Sequence, residues 1–99
     1  MYVRILHVTL LTPVFLPVTN HFWQRVYPLL SQQTGFVGAY LVNQLDPASC
    51  LLTTCWQDCD QAQVLETDAD LQWALQEMAV YFAAQPTEYS FWIDRPMAP

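Results

Sequence analysis

The stretch Gly35-Phe36-Val37-Gly38 begins the part of the chain that decides its fold, and Cys55-Trp56-Gln57-Asp58 ends it. The first glycine suits the left-handed stop of a helix, and the closing aspartate suits the start of another. Between them, residues 36–43 and 49–56 have the alternation and composition of two strands, with a turn at Asp46-Pro47. Because the connection between these strands is short, we expect an antiparallel hairpin.

Towards the N-terminus, the sequence predicts a strand followed by a kinked helix. Residues 2–10 are apolar and β-branched with no breaker, which is typical of a buried strand. Pro13 and Pro17 mark the turn into the helix, where Pro17 suits the first helical position. Pro28 removes one backbone hydrogen bond, so we expect it to kink or loosen the last turns. The apolar stripe of this helix comprises Val18, Phe22, Val26 and Leu30.

Towards the C-terminus, two helix-start signals predict two further helices. Asp58 with Gln61 matches a capping arrangement, and Thr67 with Asp70 repeats it. A last strand follows over residues 88–93, which contain three aromatic side chains and an isoleucine. The predicted helices span residues 59–65 and 68 to about 84.

The resulting order of elements is βαββαβ, which we expect to form a single domain over residues 1–99. Right-handed crossovers place both helices on one face of a four-stranded antiparallel sheet, an α+β ferredoxin-like sandwich. The strands are apolar on both sides, whereas a sheet with one wet face shows polar alternation. We therefore expect a second copy of the chain to cover the bare face, in a homodimer.

The composition is apolar and acidic, and it excludes several classes of partner. Of the 99 residues, 54% are apolar and 12% are charged. Three arginines and no lysine stand against nine acidic residues, which gives a net charge of -6. Such a chain has too few cations for the basic face that binds nucleic acid or an anionic membrane surface. The remaining partners are apolar or aromatic small molecules and other protein surfaces.

The cysteines and the N-terminal apolar run predict a cytoplasmic protein. Cys50, Cys55 and Cys59 are odd in number and form no CxxC pair, so we expect free, buried or half-buried thiols rather than disulfides or a metal site. Residues 5–19 are too few to span a bilayer and contain prolines. This run also lacks the small-residue cleavage site of a signal peptide.

The βαββαβ order, the Gly35-Phe36-Val37-Gly38 entry to strand two and Trp56-Gln57-Asp58 before a short helix resemble the antibiotic biosynthesis monooxygenase domain. Where that family often has Pro-Gly, this chain has Thr34-Gly35. The resemblance implies the dimeric α/β-barrel superfamily, with two sheets packed face to face and a pocket in each subunit between sheet and helices. It also implies cofactor-independent oxygenation, in which the protein deprotonates and buries its substrate and stabilises the resulting anion.

The same resemblance includes a heme-degrading branch, which this sequence does not fit. That branch carries an Asn on strand one and a Trp and a His on the helices after strand three. An ungapped alignment places His7, Leu65 and Leu75 at these positions. Because no proximal iron ligand remains, heme degradation is disfavoured.

His7 is the candidate catalytic base. Its pKa range near neutrality suits the removal of a phenolic proton, and it stands where the family has a polar pocket residue. The alternative is a partly buried histidine that hydrogen-bonds a backbone carbonyl. Both interpretations are compatible with its place in the first strand.

The candidate substrate-binding residues are Trp56, Trp73, Tyr40 and Tyr89. Each has an ordinary structural alternative: core packing for Trp56, packing at the dimer interface or over the sheet edge for Trp73, and core or rim packing for the two tyrosines. Arg4 and Arg95 are either anion anchors or members of salt bridges.

Two functions follow from these features. The first is a cofactor-independent monooxygenase acting on a small planar aromatic or quinol-type substrate. The alternative is a non-catalytic dimeric module that binds a ligand or regulates a partner, since fold alone does not fix function.

Overall fold

The protein consists of a four-stranded antiparallel sheet and a layer of short helices. The computed structural model describes residues 1–11, 15–44 and 48–93. The strands stand in the order β2-β3-β1-β4, which is the order of the ferredoxin-like sandwich. They are β1 (Tyr2–Thr9), β2 (Phe36–Gln44), β3 (Ser49–Trp56) and β4 (Thr87–Trp92).

The helices follow the two crossovers that the sequence predicts, but they are more broken. The first crossover contains α1 (Phe15–His21), a π-helical segment (Phe22–Val26) and α2 (Tyr27–Ser31). The second contains α3 (Cys59–Ala62), α4 (Val64–Thr67), α5 (Ala69–Glu77) and a 3₁₀ turn (Met78–Tyr81). The described part of the chain contains no helix long and apolar enough to cross a membrane.

The two faces of the sheet differ in what covers them. The helix face carries Leu6, Val8 and Leu52, which join the core formed with the helices. Their chain neighbours point the other way, because side chains alternate along a strand. The open face carries His7 and Thr53, and no helix in the described chain packs on it.

The core lies between the helix face and the helices. Trp56 at the end of β3 is fully buried, and its ring makes an edge contact with Phe36 at 5.3 Å between centroids. The other large side chains buried here include Phe22, Val26, Leu30, Leu71 and Met78. Full burial of each such side chain contributes about 1.5–3 kcal/mol to the stability of the fold.

The hairpin prediction is confirmed. β3 covers residues 49–56 as predicted and pairs antiparallel with β2, which extends one residue further than expected to Gln44. The last strand begins one residue earlier than expected, at Thr87. The predicted turn at Asp46-Pro47 lies outside the described residues, as do Pro13 and Arg95.

The helix starts are confirmed at one site and shifted at the other. The Asp58 side chain accepts a hydrogen bond from the Gln61 backbone N–H at 3.1 Å, as the capping arrangement predicts. At the second site the cap is Asp68, which accepts from Leu71 N–H at 2.9 Å. Thr67 instead donates its hydroxyl to the Gln63 carbonyl, so the prediction was wrong by one residue.

The end of the first crossover helices near Gly35 and the irregularity near Pro28 were both predicted, but their geometry differs from the prediction. Gly35 has a φ of 81°, but it lies beyond the C-cap of α2 at Gln32, in the turn that enters β2. A Cβ at Gly35 would also overlap the end of the Gln61 side chain, which would have to move, and the positive φ would strain most other residues. Pro28 follows the π-helical segment, where Tyr27 N–H bonds the Phe22 carbonyl five residues back. The helix thus absorbs the missing proline N–H by widening.

Candidate functional site

A cavity of about 250 Å³ lies between the helix face of the sheet and the helices. Aliphatic side chains form most of its wall, and one charged cluster closes its edge. Among the described residues, none of the side chains that line it is aromatic. The aliphatic wall includes Leu6, Leu52, Val26, Leu30, Leu65 and Leu75.

Strand register and helix geometry bring these side chains together. In the ladder between β1 and β3, Leu6 lies opposite Leu52 and Arg4 lies opposite Thr54, so all four share the helix face. Val26 and Leu30 are four residues apart and therefore project from the same side of the first crossover. The cavity is thus built on the central strands, whose positions are fixed by neighbours on both sides.

The charged cluster consists of Arg4, Glu66 and Glu88. One terminal nitrogen of Arg4, Nη2, contacts both carboxylates, and the other, Nη1, donates to the Ala62 carbonyl at 3.3 Å. The Arg4 side chain is only 12% exposed, whereas each carboxylate is more than half exposed. Burial alone would lower the pKa of Arg4, but the hydrogen bond to Glu66 and the charges of Glu88 and Glu66 raise it above its ordinary value. Arg4 therefore remains a cation at the cavity edge.

Thr54 is the buried polar group of the cavity wall. It is 3% exposed, and its Oγ1 accepts a hydrogen bond from the Trp56 indole N–H at 2.9 Å. Trp56 and Thr54 are two residues apart on β3, so they stand side by side on the helix face. This contact gives Trp56 a polar role in addition to its packing role.

Three of the sequence-predicted site residues lie on the open face. His7 stands opposite Leu51 and Thr87 in the ladders, while Tyr89 stands opposite Ile5 and Tyr40 opposite Thr53. Both tyrosines are more than half exposed. These three residues share a surface, but the cavity is on the other side of the sheet.

The two tryptophans predicted to bind substrate lie in different environments. Trp56 is in the core behind the cavity, in contact with Thr54, and Trp73 is 65% exposed on the outer side of α5. None of the five predicted site side chains is among those that line the cavity. Their roles in catalysis or substrate binding stay predictions.

Three polar residues that line the cavity, Thr54, Glu66 and Glu88, are not among the predicted site residues. The sequence contains a signal for one of them. Thr54 occupies a helix-facing position of β3 between Leu52 and Trp56, where alternation predicts an apolar side chain. Glu66 falls between the two helices predicted over residues 59–65 and 68–84, and Glu88 belongs to the predicted last strand. Their convergence on Arg4 depends on the tertiary fold, although a salt bridge for Arg4 was among the alternatives considered.

The cysteines are free, as predicted, and they differ in environment. Cys50 and Cys55 are buried, and Cys59 is half-buried. Burial raises the pKa of Cys50 to about 11, and it also raises the pKa of Cys55. Within residues 1–11, 15–44 and 48–93, no three metal-ligating side chains stand close enough together to hold an ion.

Comparison with known proteins connects this architecture to a group of oxygenases through structure alone. No family model matches the sequence, and no curated protein matches it either. A monooxygenase from the gene ActVA-Orf6 of Streptomyces coelicolor, in complex with nanaomycin D, superposes with a TM-score of 0.81 at 13% identity. The alignment covers 99% of this chain and 91% of that one.

Two further structures give the same result. SnoaB, a cofactor-independent oxygenase from Streptomyces nogalater, has a TM-score of 0.80 at 15% identity, over 99% of this chain and 97% of that one. A protein from Bordetella bronchiseptica assigned to the antibiotic biosynthesis monooxygenases has a TM-score of 0.80 at 19% identity, over 95% and 97% of the two chains. The chain therefore has the fold of the antibiotic biosynthesis monooxygenases, as the resemblance in its sequence implied.

Proposed function

We propose that the cavity is the substrate site of a cofactor-independent monooxygenase that acts on a small planar aromatic or quinol-type substrate. The observation that carries this proposal is an apolar cavity of about 250 Å³ that is edged by a cation and two carboxylates. Apolar walls with a few placed polar groups are typical of small-molecule sites. The similar structures include oxygenases, which adds support by analogy of fold.

The reaction needs a base, an apolar enclosure and a positive charge. In the proposed mechanism a carboxylate of Glu66 or Glu88 takes the phenolic proton, and the substrate anion gives an electron to molecular oxygen. The resulting radical pair joins to form a carbon–oxygen bond, and the peroxide anion takes the proton back from the carboxylic acid. The hydroperoxide then loses water, together with the hydrogen on the same carbon, to leave a carbonyl. One oxygen atom enters the product and the other leaves as water. The Arg4 cation stabilises the negative charge on the substrate.

A homodimer is part of the proposal, and the open face supports it. This face exposes Tyr40, Val42, Tyr89 and Phe91, each by 43% or more. An apolar surface of this extent on an antiparallel sheet is typical of a protein interface. In such a dimer His7 would lie between the two sheets, while each cavity would remain within its own subunit.

Oxygen uptake with product analysis tests the activity. The purified protein is assayed with a panel of quinols and anthrone-like aromatics, with no flavin or metal added. A Leu75→Trp variant fills the cavity from the helix side, and Gln76→Trp, on the exposed side of the same helix, is its matched control. We expect uptake above autoxidation in the wild type and in Gln76→Trp, and a loss of more than tenfold in Leu75→Trp.

A His7→Ala variant in the same assay separates the two faces of the sheet. Uptake that survives this change but not Leu75→Trp would place the chemistry in the cavity and remove His7 as the base. Uptake that is lost in His7→Ala and kept in Leu75→Trp would move the reaction to the open face. Absence of uptake over the whole panel would favour the non-catalytic dimeric binding module.

A further inference from the structure

We infer that the Thr54 hydroxyl, next to Arg4, is an oxygen-binding subsite that orients a hydroxylated aromatic ligand in the cavity. This inference rests on the proposed function and specifies which end of the substrate points towards β3. It assigns to Thr54 a role in substrate selection rather than in packing. Three observations carry it: the direction of one hydrogen bond, the spare donors of Arg4 and the apolar surroundings.

The hydrogen bond from Trp56 determines whether the Thr54 hydroxyl still has a proton to donate. An indole N–H only donates, so Thr54 Oγ1 must be the acceptor in the 2.9 Å contact. The hydroxyl proton of Thr54 then points elsewhere, and no group of the described chain accepts it. Since Thr54 lines the cavity and is 3% exposed, its proton faces whatever occupies the cavity: water when no ligand is bound, and the ligand when one is.

Arg4 supplies a second donor beside Thr54. The two residues are direct partners in the ladder between β1 and β3, where paired Cβ atoms lie about 4.5–5.5 Å apart. Arginine has five N–H donors. Within the described chain, Glu66, Glu88 and the Ala62 carbonyl engage only the two terminal nitrogens and leave the Nε N–H unused. A hydroxyl or carbonyl oxygen of a neutral ligand can therefore meet a neutral donor and a cation at one place.

The surroundings select the class of ligand. The remaining wall is aliphatic, so it accepts an apolar ring and strengthens any hydrogen bond formed at its polar end. The cluster of one cation and two carboxylates carries a net negative charge, which disfavours ligands bearing a carboxylate or phosphate. The ligand predicted by this chemistry is a small aromatic ring with one oxygen substituent directed at Thr54.

Isothermal titration calorimetry with 1-naphthol and 1-methylnaphthalene tests the subsite. The two probes have nearly the same shape, and only naphthol has an oxygen for Thr54 to bind. The ratio of their dissociation constants is measured in the wild type, Thr54→Ser and Thr54→Val. Thr53→Val is the matched control, because Thr53 is the next residue on the same strand and faces the open side.

We expect the ratio to shift against naphthol by roughly 3- to 10-fold in Thr54→Val, which is the loss of one ordinary hydrogen bond. Thr54→Ser and Thr53→Val should leave the ratio within about twofold of the wild type. If both probes bind and the ratio stays the same in Thr54→Val, this inference is wrong and the proposed site stands. If neither probe binds the wild type, the proposed aromatic site fails, and the inference fails with it.

Thr54→Val leaves the Trp56 indole N–H buried without an acceptor, so the variant is checked by thermal unfolding first. Should it fail to fold, the double variant Thr54→Val with Trp56→Phe removes both partners of the bond and takes its place. A single Trp56→Phe variant then serves as its reference, since it keeps the Thr54 hydroxyl. The same shift in ratio between this pair is expected, and an unchanged ratio would contradict the subsite.

Discussion

The two faces of the sheet are formed by the same four strands, yet one is covered by helices and lines a cavity, while the other is exposed. On the helix face, Leu52 and Trp56 are buried against helices, and Thr54 between them lines a cavity. On the open face, Tyr40 and Tyr89 project without any covering helix in the described chain. One step along β3, from Thr53 to Thr54, moves a hydroxyl from a proposed subunit interface to a proposed ligand site.

The apolar side chains of the protein therefore divide into two groups, one buried in the core and one exposed on the open face. Those on the helix face form a core that one subunit completes by itself. The open face holds large apolar side chains that are half exposed in the single chain, and their burial would contribute about 25 cal/mol for each Å² removed from water. The comparison therefore predicts that damage to the open face affects assembly, whereas damage to the helix face affects ligand binding and stability.

The largest effect is expected for a charge placed on the open face. Tyr40→Asp puts a carboxylate into the proposed sheet-to-sheet interface, where an unpaired charge is strongly disfavoured. Trp73→Asp is the matched control, because Trp73 is 65% exposed and Tyr40 is 64% exposed, but Trp73 lies on α5. We expect Tyr40→Asp to raise the dimer dissociation constant more than 100-fold, measured by analytical ultracentrifugation. Dissociation by Trp73→Asp alone would instead place the interface on the helices.

A smaller effect is expected from the buried thiol of the helix face. Burial raises the pKa of Cys50 from about 9 to about 11, so the folded state holds its proton more tightly than the unfolded state. The unfolded state therefore binds fewer protons between these pH values, and the free energy of unfolding falls as pH rises through them. One pKa unit corresponds to about 1.4 kcal/mol, which sets an upper limit of about 3 kcal/mol.

Urea unfolding at pH 8 and pH 11 measures this loss of stability. The comparison is made with Cys50→Ala, which lacks the thiol and should lose less stability, so that the pH effects of all other groups are common to both proteins. Cys59→Ala is the control from a half-buried position and should behave as the wild type does. An equal decline in wild type and Cys50→Ala would show that the buried thiol contributes nothing to the pH dependence.

The sequence predicted the architecture well because local signals agreed with one another. The hairpin, the Asp58 cap and the periodicity of the helices each specify one element, and chain order then leaves one common topology. The second cap was misplaced by one residue because Thr67 and Asp68 are both good capping residues, and only tertiary packing decides between them.

The candidate site was harder to predict, since it depends on which face of each strand receives the helices. His7, Tyr40 and Tyr89 were chosen for their chemistry, and the register places all three on the open face. Glu66 and Glu88 are 22 positions apart in the sequence, and only the fold brings both to Arg4. For Thr54 the sequence does contain a signal, because a polar residue stands at a strand position where alternation predicts a buried apolar one.

The smallest effect separates the charged cluster of the cavity from an ordinary surface ion pair. Glu88→Gln removes one of the two carboxylates that contact Arg4. Glu77→Gln removes the carboxylate whose Oε1 lies 3.0 Å from Nη2 of Arg25. Exposed pairs contribute about 0–1 kcal/mol, and Arg4 keeps Glu66, so we expect each variant to lose less than about 1 kcal/mol of stability. Salt distinguishes the two, because screening weakens exposed pairs more than partly buried ones. The Glu88→Gln deficit should persist in 0.5 M NaCl while the Glu77→Gln deficit disappears, and equal salt sensitivity would mean that the cavity edge is as solvated as the open surface.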